Sequence, residues 1–155
     1  MKYDYIYETT ENTTENLTRV KIDGKYGFID IKGNVAIPCI FNRAWRFSEG
    51  LAGVSIDNGK HGFINKKGDI VIPCEYNDVD DFREGFAPVK IDGKWGFINK
   101  QGQIVVCPKY YSVSGFENGF CSAHRRNFYK YQDEETIYLD IKGNEFTKEE
   151  LAKIH

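Results

Sequence analysis

The chain has 155 residues, with 21 Lys plus Arg against 23 Asp plus Glu and a formal net charge of −2. This length is typical of one domain, and the balance of charge excludes a global basic field that would bind nucleic acid or an anionic membrane nonspecifically. The 15 glycines, 10 tyrosines and 11 phenylalanines, beside one methionine, favour β-structure with tight turns. We therefore expect neither nucleic acid nor a membrane as partner.

The four cysteines, at positions 39, 74, 107 and 121, form no C-x-x-C pair. Their wide spacing is unlike the dense cysteine frameworks of small secreted domains and indicates free thiols in a reducing compartment. The sequence has no apolar run long enough for a signal peptide or a membrane span. We expect a cytoplasmic protein in which Cys39 and Cys74 are small apolar packing residues rather than metal ligands.

A pattern recurs along the chain with a period of 34 to 35 residues, because glycines lie at positions 27, 62 and 96 and again at 33, 68 and 102. Such a period is the signature of a repeat architecture. The pattern divides the chain into a half-unit or cap at 1–19, three repeats at 20–53, 54–88 and 89–122, and a degenerate repeat with a terminal cap at 123–155. Both ends are atypical, as expected of caps on a repeat array.

Each repeat predicts a meander of three antiparallel strands followed by a connector of about ten residues. Asp23-Gly24 and Asp92-Gly93 are signals for two-residue hairpins. A second turn in each repeat begins at Asp30, Asn65 or Asn99 and closes with a glycine three residues later, which suits a type I turn with a glycine bulge. The sequence leaves open whether the connector crosses over or adds a fourth short strand.

Three further features predict where strands are interrupted or end. Glycine inside the second strand, at positions 27, 62 and 96, is expected to leave room for an aromatic ring from a neighbouring strand. Pro38, Pro73 and Pro108 lack an amide donor and are expected to lie where the third strand leaves its ladder. The segment 147–154 begins with a capping box, Thr147 to Glu150, which predicts a short C-terminal helix.

The run Gly-Lys-Trp-Gly-Phe-Ile-Asn-Lys-Gln-Gly at 93–102, with Phe-x-Glu-Gly at 47–50 and 82–85, resembles the WG repeat, also called the KWG repeat, of bacterial proteins. Trp95 keeps the tryptophan of this signature, whereas Tyr26 and His61 replace it in the other copies. The resemblance implies an all-β repeat scaffold, often attached to other domains. It implies no catalytic residues.

The predicted fold is an all-β repeat array of three-stranded antiparallel meanders, open and solenoid-like, with a short C-terminal helix. A closed propeller is the alternative, although about four units is the lower limit of that class.

We predict no catalytic residue, no cofactor and no metal site. His61 occupies the aromatic position of its repeat, where a flat packing ring is expected. The acidic residues between Asp78 and Glu84 lack the spaced glycine and terminal glutamate of a calcium loop, so we interpret them as a solvated connector.

Positions that differ between repeats are freer to bind a partner, and two groups of them are candidates. The first is Arg43, Trp45 and Arg46, where Trp45 is expected to be exposed between two arginines, because Trp and Arg are enriched at interaction hot spots. The alternative is that Trp45 fills a cap position next to the degenerate N-terminal half-unit. The second is Arg125 and Arg126, with His124 before them and Tyr129 and Tyr131 after them.

The predicted function is that of a non-catalytic scaffold that binds a protein or peptide partner through its connector loops. A carbohydrate-binding or carbohydrate-processing protein is the alternative, motivated by the aromatic residues and by the acidic segment 78–84. Self-association as a homo-oligomer is left open.

Overall fold

The computed structural model describes residues 5–6, 13–126 and 134–154 of the chain. The chain divides into two compact units, Met1–Asp81 and Phe82–His155. Each unit has a hydrophobic core of its own, which includes Phe28 and Phe47 in the first unit and Phe97 and Phe116 in the second.

The first unit holds two antiparallel sheets, one of strands β1 to β5 and one of strands β6 to β9. In the first sheet the order is β1-β3-β4-β5, with β2 also paired to β3, and in the second it is β6-β7-β8-β9. The strands of this unit are β1 (Tyr5–Ile6), β2 (Thr13–Thr14), β3 (Leu17–Ile22), β4 (Lys25–Ile29), β5 (Val35–Phe41), β6 (Arg43–Ser48), β7 (Leu51–Ser55), β8 (His61–Ile64), β9 (Ile70–Tyr76) and β10 (Asp78–Val79).

The second unit repeats this plan and ends in a helix. Strands β11, β12 and β13 pair in that order, and β14-β15-β16-β17 form a further four-stranded sheet. The elements are β11 (Phe86–Ile91), β12 (Lys94–Asn99), β13 (Ile104–Tyr110), β14 (Ser112–Val113), β15 (Phe120–Arg126), β16 (Glu134–Asp140), β17 (Glu145–Phe146) and α1 (Lys148–Ala152).

The predicted all-β repeat fold with a short C-terminal helix is confirmed. The structure also answers the question left open by the odd number of strands, because the connectors contribute β6 and β14 as first strands of their sheets. The meander therefore has four strands rather than three in these sheets. The sheet of β6 to β9 begins at residue 43, about a third of a repeat before the repeat boundary at 54, so that repeat 20–53 supplies β4 and β5 to one sheet and β6 to the next.

The predicted turns are confirmed. Asp23 and Gly24 have φ values of 49° and 80°, the left-handed pair that a two-residue hairpin requires. In the second turn the N–H of Gly33 donates to the carbonyl of Asp30 at 3.0 Å, and the Asp30 carboxylate accepts from the backbone N–H of Asn34 at 2.9 Å. The hydrogen bond from Asn34 to the carboxylate holds the pKa of Asp30 below its usual value.

The reason for glycine in the second strand differs from the prediction of an aromatic ring. A Cβ at Gly62 would lie 2.3 Å from the carbonyl oxygen of Ile72, and a Cβ at Gly96 would lie 2.3 Å from that of Val106. Backbone, not a ring, approaches these positions, because the third strand bulges toward the second.

The bulge is visible in the register of β8 and β9. Phe63 pairs with Ile72 and His61 with Tyr76, so the one residue between them in β8, Gly62, faces three residues of β9. Pro73 lies in this interruption, inside β9, rather than where the strand leaves its ladder as predicted, because the pairing resumes at Tyr76. A residue without an amide donor fits at a bulge, because the regular hydrogen bonds between the two strands are interrupted there.

A repeated hydrogen bond joins a turn of one repeat to the equivalent turn of the next, and in each case one of the two turns is a Phe-x-Glu-Gly turn, at 47–50 or 82–85. The carboxylate of Glu15 accepts from the N–H of Gly50 at 2.9 and 3.2 Å in the first unit, and that of Glu84 accepts from the N–H of Gly119 at 3.0 Å in the second. Both glutamates have φ values of 52° and sit in the left-handed region within their turns. The glutamate at this turn position therefore has a structural role. We call this contact the turn-to-turn bond.

The helix α1 begins as the capping box predicts. The Thr147 hydroxyl accepts from the N–H of Glu150 at 3.2 Å, and the Glu150 carboxylate accepts from the N–H of Thr147 at 2.8 Å. The helix lies against β16 and β17. Among the residues described, no helix combines the length and the apolarity needed to cross a membrane.

Candidate functional site

Strand β6 carries three of the residues that the sequence singles out. Ala44 and Phe47 point into the core of the first unit, whereas Arg43 and Arg46 are exposed and Trp45 is half-buried. The pairing with β7 shifts register between Ala44 and Phe47, so the strand bulges at Trp45 and Arg46. Such a bulge re-aims side chains locally.

Trp45 is held against the sheet rather than standing clear of it between two arginines. Its ring meets the His61 ring edge-on, with centroids 5.1 Å apart and an interplanar angle of 72°. A Cβ added at Gly53 would lie at ordinary contact distance from the ring, 3.5 Å from Cε3 of Trp45, and only 2.9 Å from Cγ2 of Val79, so the ring packs over the backbone at Gly53 and the glycine makes room for Val79. The ring is therefore fixed on one side and accessible on the other, as a binding anchor must be.

A surface depression of about 180 Å³ lies beside this ring, lined by Arg19, Tyr26, Arg43, Ala44 and Trp45. Strands β3 and β4 of one sheet and β6 of the next contribute its walls. The Arg19 guanidinium is fixed there, because Nη1 donates to the Ala44 carbonyl at 2.7 Å and Cζ lies 5.5 Å from the centroid of the Tyr26 ring.

Arg46 is engaged in an ion pair within the first unit. Its Nε lies 2.7 Å from Oδ2 of Asp81, whose side chain is only 11% exposed. The hydrogen bond to Asp81 raises the pKa of the Arg46 guanidinium. This geometry favours a structural role for Arg46 and leaves Arg43 as the arginine that forms no ion pair with the described residues.

Arg125 is the centre of a network in the second unit. Its guanidinium contacts Glu135 at 2.9 Å and Glu145 at 2.8 Å. Glu145 also accepts from the Tyr110 hydroxyl at 2.7 Å and lies 3.3 Å from Nζ of Lys109. The Tyr110 hydrogen bond is the main cause that lowers the pKa of Glu145, while burial and this carboxylate raise the pKa of Tyr110.

The remaining candidates of this second group are only partly described. Arg126 is the last residue of β15, and its side chain lies outside the described set, as do Tyr129 and Tyr131. His124 pairs with Ser112 across β15 and β14, with 2.9 Å between Nδ1 and the hydroxyl oxygen.

The repeat spacing is a sequence signal for these contacts. Arg46 and Asp81 are 35 residues apart, as are Tyr110 and Glu145. Equivalent positions of successive repeats thus face each other inside a unit. A pair of complementary side chains at the repeat spacing predicts a contact.

His61 occupies the aromatic slot, as expected, since it faces Tyr76 in the register that Tyr26 shares with Phe41. The residue is 7% exposed, and neither ring nitrogen has a hydrogen-bond partner among the described residues. No described carboxylate therefore orients the ring in the way a catalytic base requires.

The acidic residues of the connector each bind within their own unit. Asp78 and Asp80 accept from the backbone N–H groups of the residues that follow them, at 2.9 and 2.8 Å. Asp81 pairs with Arg46, and Glu84 forms the turn-to-turn bond. These contacts give no support to a carbohydrate-processing site, which needs two carboxylates facing one cleft.

A larger cleft of about 460 Å³ lies in the second unit, where loop 115–118, strand β15 and the helix meet. Its walls include Ser114, Phe120, Tyr138 and Leu151, and Glu117 is the acidic residue among the described ones that line it. None of its lining residues is among the predicted site residues.

The four cysteines are free, and Cys39, Cys74 and Cys121 are partly or fully buried whereas Cys107 is exposed. The thiols of Cys39 and Cys74 face backbone carbonyls of their own unit at 4.0 and 3.9 Å, and burial raises the pKa of both. Burial raises the pKa of the Cys121 thiol to about 12, so that this thiol is protonated and unreactive at neutral pH. The described part of the chain brings together no group of three or more His, Cys, Asp or Glu side chains suited to a metal ion.

Comparison with known proteins agrees with the repeat seen in the fold. A family model described as a WG containing repeat matches four segments, 1–26, 26–60, 62–95 and 95–123. The first of these covers the half-unit at the start of the chain. No curated protein matches the sequence. Because the four matched segments cover most of the chain and correspond to the repeated strands and turns, the chain belongs to the family of WG-repeat proteins.

Proposed function

We propose that this chain is a non-catalytic, cytoplasmic repeat scaffold that binds a protein or peptide partner through the surface around Trp45. The observation that carries the proposal is the position of this ring, fixed against His61 on one side and open beside the depression on the other. Large aromatic residues in such a setting bury much area at low entropic cost.

The repeated residues have roles in the fold, so residues that are not repeated are better candidates for binding. The turn glycines, the strand glycines and the turn glutamates each have a role in the fold, as the φ values, the bulges and the turn-to-turn bonds show. Trp45 has no counterpart of its type at the equivalent positions Asp80 and Ser114. A large aromatic residue that the repeat does not require is therefore the favoured binding residue, together with the exposed Arg43 beside it.

The test is a quantitative affinity purification from a lysate of cells that produce the protein, with the wild type and Trp45→Ala as baits. Trp95→Phe is the matched control, since it changes the other tryptophan of the chain, in the other unit. We expect a set of proteins enriched by the wild type and by Trp95→Phe to be lost from Trp45→Ala. Circular dichroism checks that the variant keeps its β-sheet signal. Equal enrichment by all three baits would exclude Trp45 as the anchor.

A further inference from the structure

The depression beside Trp45 combines aromatic walls with positive charge. Of the five residues that line it, Tyr26 and Trp45 are aromatic, Arg19 and Arg43 are cationic, and none is acidic. Lys21 adds a further charge, because its Nζ lies 5.3 Å from the centroid of the Tyr26 ring.

The basic side chains next to the depression form ion pairs with acidic residues. Lys25 is paired with Asp57 at 2.8 Å, and Arg46 is paired with Asp81 at 2.7 Å. Arg43 is exposed and forms no ion pair with the residues that the structure describes. Among the described residues, Arg43 is thus available to a ligand, whereas the neighbouring Lys25 and Arg46 are neutralised by acidic partners.

The size of the depression indicates what kind of group enters it. Pockets that enclose a whole small ligand measure about 300–1,000 Å³. A volume of about 180 Å³ is too small for that and fits a single side chain. A carboxylate would meet the guanidinium of Arg43, which can bind it with two parallel hydrogen bonds.

We propose that this depression takes an acidic side chain of the bound peptide or protein segment, with its carboxylate on Arg43 and its stem between the rings of Tyr26 and Trp45. This inference rests on the proposed function and adds the chemistry of the partner. A nucleic acid is disfavoured as the source of the negative charge, because the chain has a net charge of −2 and phosphate backbones are bound by extended basic surfaces.

The test measures binding of defined peptides by the fluorescence of Trp45 in a Trp95→Phe background, where it is the only tryptophan. The probes are an acetylated octapeptide of alternating glutamate and glycine, its glutamine counterpart, and an eight-nucleotide oligothymidine. We expect the glutamate peptide to bind at least about tenfold more tightly than the glutamine peptide, as expected for one or two charge-assisted hydrogen bonds. Raising the salt concentration should weaken that binding.

Two variants locate the site. Arg43→Gln should weaken binding of the glutamate peptide about tenfold. Lys67→Gln is the matched control, because it removes one exposed positive charge from a turn of the same unit and should leave the affinity unchanged.

Each contrary outcome has a distinct meaning. Equal affinity for the two peptides, no binding of either, or equal effects of Arg43→Gln and Lys67→Gln would overturn the acidic specificity. Tighter binding of the oligothymidine than of the glutamate peptide would replace a peptide with a nucleic acid. The proposed function fails separately, when Trp45→Ala keeps every protein that the wild type enriches from the lysate.

Discussion

Replacement of Gly96 by alanine tests the packing of β12 against β13. The added Cβ would lie 2.3 Å from the carbonyl oxygen of Val106 and 2.7 Å from the nitrogen of Pro108. The first distance is about 1 Å short of ordinary van der Waals contact, and both atoms belong to backbone that cannot rotate away. The two strands must therefore separate at the bulge.

Overpacking of this kind costs about 1–3 kcal/mol or more, and the alanine recovers less than about 1 kcal/mol through the entropy of the unfolded chain. We expect a net loss of about 2 kcal/mol in the free energy of unfolding. With a slope of about 2 kcal/mol/M, the urea midpoint followed by circular dichroism would fall by about 1 M.

Gly115→Ala is the matched control in the same unit. Its Cβ would meet Cδ of Arg83 at 2.8 Å, but this exposed side chain is free to rotate, so we expect a change below about 0.5 kcal/mol. Equal midpoints for the two variants would refute the argument that backbone approach demands glycine at position 96.

Three further substitutions test other contacts. Glu84→Ala removes the turn-to-turn bond to Gly119 and should lower the free energy of unfolding by about 1 kcal/mol, while Glu84→Gln, which keeps an acceptor, should lose less. His61→Phe removes two buried nitrogens that lack partners and should raise the free energy of unfolding by about 1–2 kcal/mol, measured by urea denaturation. Tyr110→Phe removes a hydrogen bond to a carboxylate and should cost about 1.5–3 kcal/mol at pH 7. Because the pKa of Glu145 is lower in the folded state, this stabilisation is present above the unfolded pKa and is lost as pH falls through the folded value, so the difference between Tyr110→Phe and wild type should shrink below about pH 4.

Each of these expectations has a contrary result. Identical urea midpoints for wild type and Glu84→Ala would mean that the turn-to-turn bond contributes nothing to stability. A less stable His61→Phe would mean that solvent or a partner satisfies the ring nitrogens. A difference between Tyr110→Phe and wild type that stays constant down to pH 3 would show that ionisation of Glu145 is not coupled to this bond.

The turns could be predicted from sequence because their cause is local. Asp23-Gly24 adopts left-handed backbone with few alternatives, and the turn from Asp30 to Gly33 is closed by the side chain of its own first residue. The start of α1 could be predicted for the same reason, since the side chains of Thr147 and Glu150 each accept a hydrogen bond from the other's backbone N–H within one helical turn.

Contacts between repeats were harder to predict because the sequence does not state which faces meet. The need for a residue without a side chain at Gly96 was visible, but the approach of the Val106 carbonyl depends on a bulge in another strand. The sequence predicts Arg46 as a residue available to a partner, because it does not show that Arg46 forms an ion pair with Asp81, one repeat away. The depression was not predicted, since Tyr26 and Trp45 come together from two different sheets.

The turn-to-turn bond also has consequences for the folding rate of the chain and for changes in its number of repeats. Its two partners are always one repeat apart, as with Glu15 and Gly50, so neither bond requires closure of a loop longer than about 35 residues. Short closures lower contact order, which favours rapid formation for a protein made of sheets. A duplication of one whole repeat would supply a new glutamate and a new glycine in matching phase, whereas an insertion of half a repeat would leave both without their counterparts. The bond therefore makes whole-repeat duplication the change in length that the fold tolerates best.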